Sequence, residues 1–184
     1  MIVETENTPN PDTLKFLPGQ KVSDAGPIEF SKNDENIKIP LANKILSIEG
    51  TTMVFFGEDF ITVKKEKNLN WDDLKHGIIS EINDYYLKGN KIVIKKDSQD
   101  SQKKNLKDSN EVINKINEVL DSRVRPAVAK DGGDIKFKSF IDGVVTVELR
   151  GSCSGCPSSV MTLKQGVQNL LCHYIPEVKS VEAS

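Results

Sequence analysis

Two cysteines at CxxC spacing, Cys153 and Cys156, are the residues of this sequence best suited to chemistry. They lie in the stretch RGSCSGCPSSV, residues 150–160, just before a segment whose apolar residues recur at helical spacing. Pro157 suits the first turn of a helix, so the spacing predicts Cys156 at or near the helix N-cap. Unpaired N–H groups and the positive end of the helix dipole favour a thiolate at that position.

The residues around the two cysteines are small and polar. Gly151 and Gly155 allow the backbone to turn tightly and leave N–H groups free to reach sulfur, while Arg150 adds positive charge nearby in the sequence. These neighbours supply no apolar pocket, which disfavours a buried pair with a purely structural role. We therefore expect an exposed loop whose two thiolates bind a soft metal.

The third cysteine, Cys172, is not expected to complete this site within one chain. It lies sixteen residues after Cys156, which is about 24 Å along a continuous helix at about 1.5 Å per residue. A single cysteine on a helix is usually a packing residue, and the adjacent His173 points in a different direction. His76, alone on a predicted helix of the first half, is expected at the surface or in packing contacts.

The CxxC motif by itself leaves three kinds of site open. Two chains would together supply four cysteines, which is the ligand set of a [4Fe–4S] or [2Fe–2S] cluster. The same four thiolates would suit a structural zinc site that bridges two chains. A thiol–disulfide oxidoreductase needs only one CxxC motif, so that activity is a further alternative.

The elements that must position these cysteines fall into two halves. Residues 95–109, KKDSQDSQKKNLKDS, contain a single apolar side chain, Leu106, and cannot bury enough apolar surface to offset their ordering entropy. We predict a flexible polar linker with an r.m.s. span of roughly 20 Å. It would join two small α+β domains, residues 1–94 and 110–184.

Residues 1–94 combine strand and helix signals and contain no cysteine. A strand is predicted at residues 13–18, a helix from Pro40, and a hairpin around residues 57–59. Asn70 is predicted to cap a helix on which apolar residues recur at helical spacing, namely Trp71, Leu74, Ile78, Ile82 and Tyr85. This half is expected to be a docking or scaffolding domain.

Residues 110–184 are predicted to run in the order helix, hairpin, CxxC loop, helix. Apolar residues at helical spacing cover residues 112–124, and Pro126 is expected to break or restart that helix. Asp142–Gly143 is the strongest short signal for a hairpin turn. Residues 160–174 then place apolar side chains on one helical face after the CxxC loop.

Composition narrows the classes of partner and compartment. The 184 residues carry a formal net charge of -2, so no global field draws the chain to nucleic acid or anionic lipid. No apolar run approaches the roughly 20 residues that span a bilayer. The first residues resemble neither a secretory signal nor a transit peptide, and three cysteines are too few for a disulfide framework. We expect a cytoplasmic location, or the mitochondrial matrix if a transit peptide has been removed.

Two stretches of the second half carry a family resemblance. RPAVAKDGGDI and GSCSGCPSSVMTLKQGVQNLL resemble the C-terminal domain of NifU-like (Nfu-type) iron–sulfur cluster scaffold and carrier proteins. In the first half, ETENTPNPDTLKF, PLANKILSIEGTTMVFFGEDFITVKK and WDDLKHGIISEI are similar to the N-terminal domain of the same family. The two resemblances together cover nearly the whole chain, and the predicted linker falls between them.

The resemblance implies a non-enzymatic scaffold and carrier. Such a protein would assemble a [4Fe–4S] cluster between the CxxC motifs of two chains, with Cys153 and Cys156 as ligands, and would transfer it to apo-proteins. Its expected partners are a second copy of itself, apo iron–sulfur recipients and upstream cluster assembly proteins. Neither nucleic acid nor membrane is expected as a partner. Cys172 and His173 lie outside the motif and receive no role from the resemblance.

Overall fold

The computed structural model of the chain describes residues 2–24, 26–92, 107–155 and 157–184, with side chains from all of these except residues 107–110 and 157–159. Most of the predicted linker, residues 95–106, lies outside the described residues, and so does Cys156. The chain is α+β, with one sheet in each half.

The first half contains five strands and two helices in its described part. They are β1 (Glu4–Asn7), β2 (Thr13–Leu17), β3 (Ile28–Ser31), α1 (Pro40–Ser47), β4 (Thr51–Phe56), β5 (Ile61–Lys65) and α2 (Trp71–Leu87). The strands form one antiparallel sheet in the order β1-β2-β5-β4-β3. The predicted hairpin is therefore the pair β4 and β5, closed by a hydrogen bond of 2.9 Å from Gly57 N to Phe60 O.

The helices α1 and α2 cover one face of this sheet. Pro40 begins α1, and Asn70 occupies the N-cap position of α2, although its side chain makes no capping hydrogen bond. The predicted apolar side of α2 is buried, at Leu74, Ile78 and Ile82. These residues pack with inward-facing strand residues into one core, which includes Leu14, Phe16, Val54, Phe56, Ile61 and Val63.

The opposite face of the sheet carries a row of four side chains, which we call the outer row. Lys15, Thr62, Phe55 and Glu29 are successive cross-strand neighbours on β2, β5, β4 and β3. Residues opposed on paired strands share a face, so all four leave the sheet on the side away from the helices. Lys15, Thr62 and Phe55 are nevertheless buried, because the second half packs against this face.

The described part of the second half combines helices with a three-stranded sheet. Its elements are α3 (Lys107–Val119), a π-helical turn (Leu120–Val124), α4 (Arg125–Lys130), β6 (Gly133–Ile141), β7 (Val144–Gly151), α5 (Pro157–Tyr174) and β8 (Ser180–Ala183). The predicted hairpin of β6 and β7 turns at Asp142 and Gly143, with φ of 52° and 85°. Positive φ at both positions is typical of a tight two-residue hairpin turn.

The helical segment before this sheet continues through Pro126. The sequence predicts a break or restart there, and the π-helical turn Leu120–Val124 supplies the change of geometry, with Pro126 in the first turn of α4. A proline ring clashes with the carbonyl four residues earlier in a regular helix, so a widened turn just before it relieves the conflict.

The predicted end of the linker is wrong by three residues. Helix α3 begins at Lys107, so residues 107–109 are helical rather than part of the linker, and the second half begins before residue 110. Polar residues such as these are common in the first turn of a helix, so composition does not distinguish them from a linker. Composition alone therefore placed the boundary too late.

Candidate functional site

The CxxC loop connects the end of β7 to the start of α5. Gly151 and Gly155 have φ of 66° and 75°, the left-handed region that glycine adopts without strain. A Cβ on Gly151 would lie 2.6 Å from the carbonyl oxygen of Gly132, so only glycine fits there. The prediction that glycines shape this loop is confirmed. Helix α5 begins at Pro157, as predicted, whereas the position of Cys156 lies outside the described residues.

The turn before β6, at Asp131 and Gly132, makes hydrogen bonds to the CxxC loop. Ser152 donates its backbone N–H to the carbonyl of Gly132 at 3.1 Å, and its hydroxyl donates to the carbonyl of Asp131. A Cβ on Gly133 would lie 2.6 Å from Cys153 Sγ, so the turn backbone contacts the thiol closely. Sequence reasoning did not assign these residues to the site, although their adjacent glycines were a signal for close approach.

Cys153 is buried rather than exposed. Its side chain is 6% exposed and belongs to the core of the second half, together with Leu149 and Val167. The expectation of an exposed loop is therefore wrong for Cys153. The sequence around the motif shows only local composition, whereas the burial comes from residues outside the motif, including Leu149 of β7 and Val167 of α5.

Burial also changes the pKa of the Cys153 thiol. It raises the pKa of Cys153 to about 11, because the charged thiolate is poorly solvated there. The Ser152 hydroxyl, 3.8 Å from Sγ, acts in the opposite direction, and the carboxylates of Asp131 and Asp134 raise the pKa further. At neutral pH Cys153 is a protonated thiol.

Arg150 does not serve as a free positive charge beside the cysteines. Its Nε donates to Glu148 Oε1 at 3.0 Å, and Lys138 binds the other carboxylate oxygen at 2.7 Å. The hydrogen bond from Lys138, together with Arg150, lowers the pKa of Glu148. The charge of Arg150 is thus largely committed to this carboxylate.

An apolar groove of about 530 Å³ adjoins Cys153, which corrects the expectation that no apolar pocket lies near the motif. Its walls come from the helical segment before β6 and from α5, and include Val124, Leu163 and Val167. Pro9 of the first half also contributes to the lining.

Cys172 lies near the far end of α5, which runs without interruption from Pro157 to Tyr174. Its side chain is partly buried against the core of the second half. The neighbouring His173 ring packs edge-on against Tyr174, with ring centroids 5.0 Å apart. Within the part of the chain that the structure describes, no group of three or more His, Cys, Asp or Glu side chains could hold a metal ion.

Among the described residues, three side-chain hydrogen bonds join the first half to the CxxC loop or to the turn before β6. Asn10 Nδ2 donates to the carbonyl of Ser152 at 3.1 Å. Glu29 Oε2 accepts from the backbone N–H of Gly151 at 2.6 Å. Thr62 Oγ1 donates to the carbonyl of Gly132 at 2.7 Å. Sequence reasoning missed these contacts, because nothing in the first half identifies partners that lie 70 to 142 residues away in the sequence.

The loop can donate sulfur to a soft metal, but the described part of one chain offers a single thiol at this point. A metal would displace the proton of Cys153, since thiolates rather than thiols are ligands. Further sulfur ligands would have to come from Cys156 and from another molecule.

Comparison with known proteins places both halves in one family. A model described as "NifU-like domain" matches residues 116–182, and a model described as "Scaffold protein Nfu/NifU N terminal" matches residues 3–89. The first half is therefore an Nfu-type N-terminal domain and the second a NifU-like domain that carries the CxxC loop.

Two relatives match almost the entire chain. The human (Homo sapiens) protein named "NFU1 iron-sulfur cluster scaffold homolog, mitochondrial" is 44% identical over 183 residues, which cover 99% of this chain and 71% of that protein. "NifU-like protein 4, mitochondrial" of Arabidopsis thaliana is 43% identical over 187 residues, covering 99% of this chain and 65% of that protein. The chain therefore belongs to the NifU-like (Nfu-type) family.

Among solved structures, the chain is similar to the solution NMR structure of a NifU-like protein from Saccharomyces cerevisiae. The TM-score is 0.48 at 27% sequence identity, over 52% of this chain and 87% of that one. In the described residues, no helix is both long and apolar enough to cross a membrane.

Proposed function

We propose that this chain is an iron–sulfur cluster scaffold and carrier. It assembles a [4Fe–4S] cluster between the CxxC motifs of two copies, with Cys153 and Cys156 of each chain as ligands, and transfers it to apo-proteins. The observation that carries this proposal is the loop between β7 and α5, which presents Cys153 within a matched NifU-like domain. The human relative is named as an iron–sulfur cluster scaffold homolog.

The number of sulfur ligands supports sharing between two chains. Cluster irons are usually held by four cysteine thiolates, and this chain has three cysteines. Cys172 lies at the other end of α5 from the CxxC loop. Two motifs, one from each chain, supply the four thiolates, and a [2Fe–2S] cluster would use the same ligands.

The burial of Cys153 suits temporary binding of a cluster as cargo. Its raised pKa means that the proton returns readily to sulfur when the iron leaves. A recipient with more acidic or better solvated thiols would then hold the cluster more strongly. We propose apo iron–sulfur proteins as recipients and cluster assembly proteins as donors, with neither nucleic acid nor a membrane as partner. No catalytic turnover is assigned to the chain.

A disulfide reductase is the main alternative, and Cys153 does not fit the role of its attacking thiol. The attacking cysteine of such enzymes has a lowered pKa that maintains a reactive thiolate, whereas burial raises the pKa of Cys153 to about 11. A zinc-bridged dimer would use the same four thiolates and is distinguished by metal analysis.

We propose a reducing compartment in the cell, since a thiol pair used for cluster binding must stay reduced. A cytoplasmic location is the main proposal. The relatives from Homo sapiens and Arabidopsis thaliana are named as mitochondrial proteins, in agreement with the second location, the mitochondrial matrix.

Anaerobic reconstitution tests the proposed function. The apo-protein is supplied with iron and sulfide, desalted, and examined by iron and sulfide assay, visible absorption and Mössbauer spectroscopy. A [4Fe–4S] cluster shared by two chains gives about two irons and two sulfides per chain. Zinc retention without iron, or disulfide turnover without iron, would instead support one of the two alternatives.

A further inference from the structure

The first half covers the CxxC loop with the face of its sheet that bears the outer row. Of that row, Glu29 accepts the N–H of Gly151 at 2.6 Å and Thr62 donates to the carbonyl of Gly132 at 2.7 Å. Asn10, next to the sheet, donates to the carbonyl of Ser152. Asn10 and Ser152 are 3% and 1% exposed, so this last hydrogen bond is shielded from water.

The backbone of the second half is shaped for this contact. A Cβ on Gly132 would lie 2.8 Å from Thr62 Oγ1, and a Cβ on Gly151 would lie 3.2 Å from Phe55 Cδ1. On the other side of Cys153, a Cβ on Gly155 would lie 2.9 Å from Lys64 Nζ. The first half therefore touches the loop both before and after the thiol.

We propose that the outer row, with Asn10, is a cap on the CxxC loop, and that this cap must lift before two chains can share a cluster. The inference rests on the proposed function, because it concerns access to the same site. Because the sheet packs against Gly151, Ser152 and Gly155, the CxxC loop of a second chain cannot approach this loop face to face. The N–H of Gly151 also donates to Glu29, and is thus withheld from an anionic cluster.

The opening of the cap and the binding of the cluster are then linked equilibria. A cluster that binds only the open form shifts the population toward that form, and its apparent affinity falls by the fraction of chains that are open. Weakening the cap should therefore expose the loop in the apo-protein and speed loading, without changing the amount of iron finally bound.

The test uses a full-length variant that removes two cap hydrogen bonds with little change of shape. Asn10→Asp keeps the oxygen that accepts the N–H of Asp12 but replaces the donor to Ser152, and Thr62→Val removes the donor to Gly132. The matched control is Asn43→Asp with Thr52→Val. Asn43 and Thr52 also donate to backbone carbonyls, but to those of Ile37 and Lys64 within the first half.

The first readout is the alkylation rate of Cys153 by iodoacetamide, with Cys156→Ser and Cys172→Ser in every protein so that one thiol remains. The double variant Asn10→Asp with Thr62→Val, called the cap variant, should react roughly tenfold faster than the parent. The loss of each hydrogen bond shifts the equilibrium between the closed and open forms by about two- to tenfold. The control should react at the parent rate. Equal rates in all three proteins would overturn the proposal.

A second, independent variant guards against misfolding. Glu29→Ala removes the acceptor for Gly151, and Glu29→Gln restores an oxygen of similar position. Alkylation should be faster in the alanine variant and close to the parent in the glutamine variant. Circular dichroism confirms that each protein is folded, and small-angle scattering should show a larger radius of gyration for the cap variant. An unchanged radius together with an unchanged alkylation rate would contradict the cap.

Loading of proteins with all three cysteines separates this inference from the proposed function. The cap variant should reach the same final iron content as the parent, but sooner. Less iron in the cap variant than in the control would mean that the first half helps to hold the cluster, and would overturn the cap. No iron in any protein, with faster alkylation in the cap variant, would contradict the proposed function and support the cap on the loop.

Discussion

Cys153 lies against the backbone of Gly133 on one side and lines the apolar groove beside α5 on the other. A thiol in such surroundings keeps its proton, which protects it from the oxidation that a thiolate undergoes. Iron bound as proposed would therefore compete with a proton for this sulfur. The residue types, their spacing and the family resemblance predict Cys153 as a ligand, but the direction of its pKa follows from packing that no local pattern reveals.

The raised pKa of Cys153 predicts a loss of stability at high pH. The folded protein keeps this proton up to a pKa of about 11, while the unfolded chain releases it near 9.0, so the free energy of unfolding falls as the pH rises between these values. Urea unfolding at about pH 8 and about pH 10.5 should show a loss of about 1–2 kcal/mol that is absent from Cys153→Ser. Equal losses in both proteins would assign the effect to other groups.

Replacement of the cysteines separates ligands from packing residues. Cys153→Ser should abolish bound iron after reconstitution, because it removes one of the two thiolates that each chain contributes and therefore two of the four cluster ligands. Cys172→Ser should retain the iron content and the visible spectrum, since α5 holds Cys172 far from the CxxC loop. Iron lost equally in both variants would make Cys172 of a second chain a ligand.

At the scale of elements, the local signals predicted what local contacts decide. The hairpin at Asp142–Gly143, the start of α1 at Pro40 and the buried side of α2 were predicted because turn geometry and helical spacing are read within a few residues. The strands β1, β3 and β8 were missed. They are four residues each, and their pairing depends on distant strands: β8, for example, joins β7 in parallel.

Substitution of Gly151, at the end of β7, and of Gly166, within α5, should have unequal effects on the free energy of unfolding. Gly151→Ala should lower the free energy of unfolding by roughly 2 kcal/mol or more, because it combines positive φ with a clash against the carbonyl of Gly132. Gly166→Ala in α5 meets open space and should be neutral or stabilising by up to about 1 kcal/mol. The measurement is urea unfolding of both variants, and similar losses would disprove this account of Gly151.

At the scale of the whole molecule, the two halves are covalently joined and also packed together through the outer row. Composition predicted their separation by a polar stretch, but could not predict which faces meet. The relevant residues are ordinary members of strands, such as Thr62 and Glu29, and their role depends on the cross-strand register. The register between two strands depends on residues far apart in the sequence, so a local pattern does not reveal which residues are opposed across the sheet.

Cluster loading should change the oligomeric state of the protein. If each chain contributes one CxxC motif, iron and sulfide should convert monomer to dimer, since metal that binds only the assembled state stabilises it. Light scattering on apo and reconstituted protein, with iron assayed on the same samples, measures this change. Chelation should return the monomer, and a loaded monomer with about four irons per chain would contradict sharing between two motifs.

The burial of Phe55 has a consequence for solubility. Its ring is fully buried among Met53 and Phe60, and it contacts the second half near Gly151. When the halves part, this aromatic cluster meets water, and a newly exposed apolar patch is prone to aggregation or to nonspecific adhesion. A chain that stays open at high concentration should therefore bind hydrophobic dyes and precipitate. Brief opening limits this loss of folded, dissolved protein in a crowded cell.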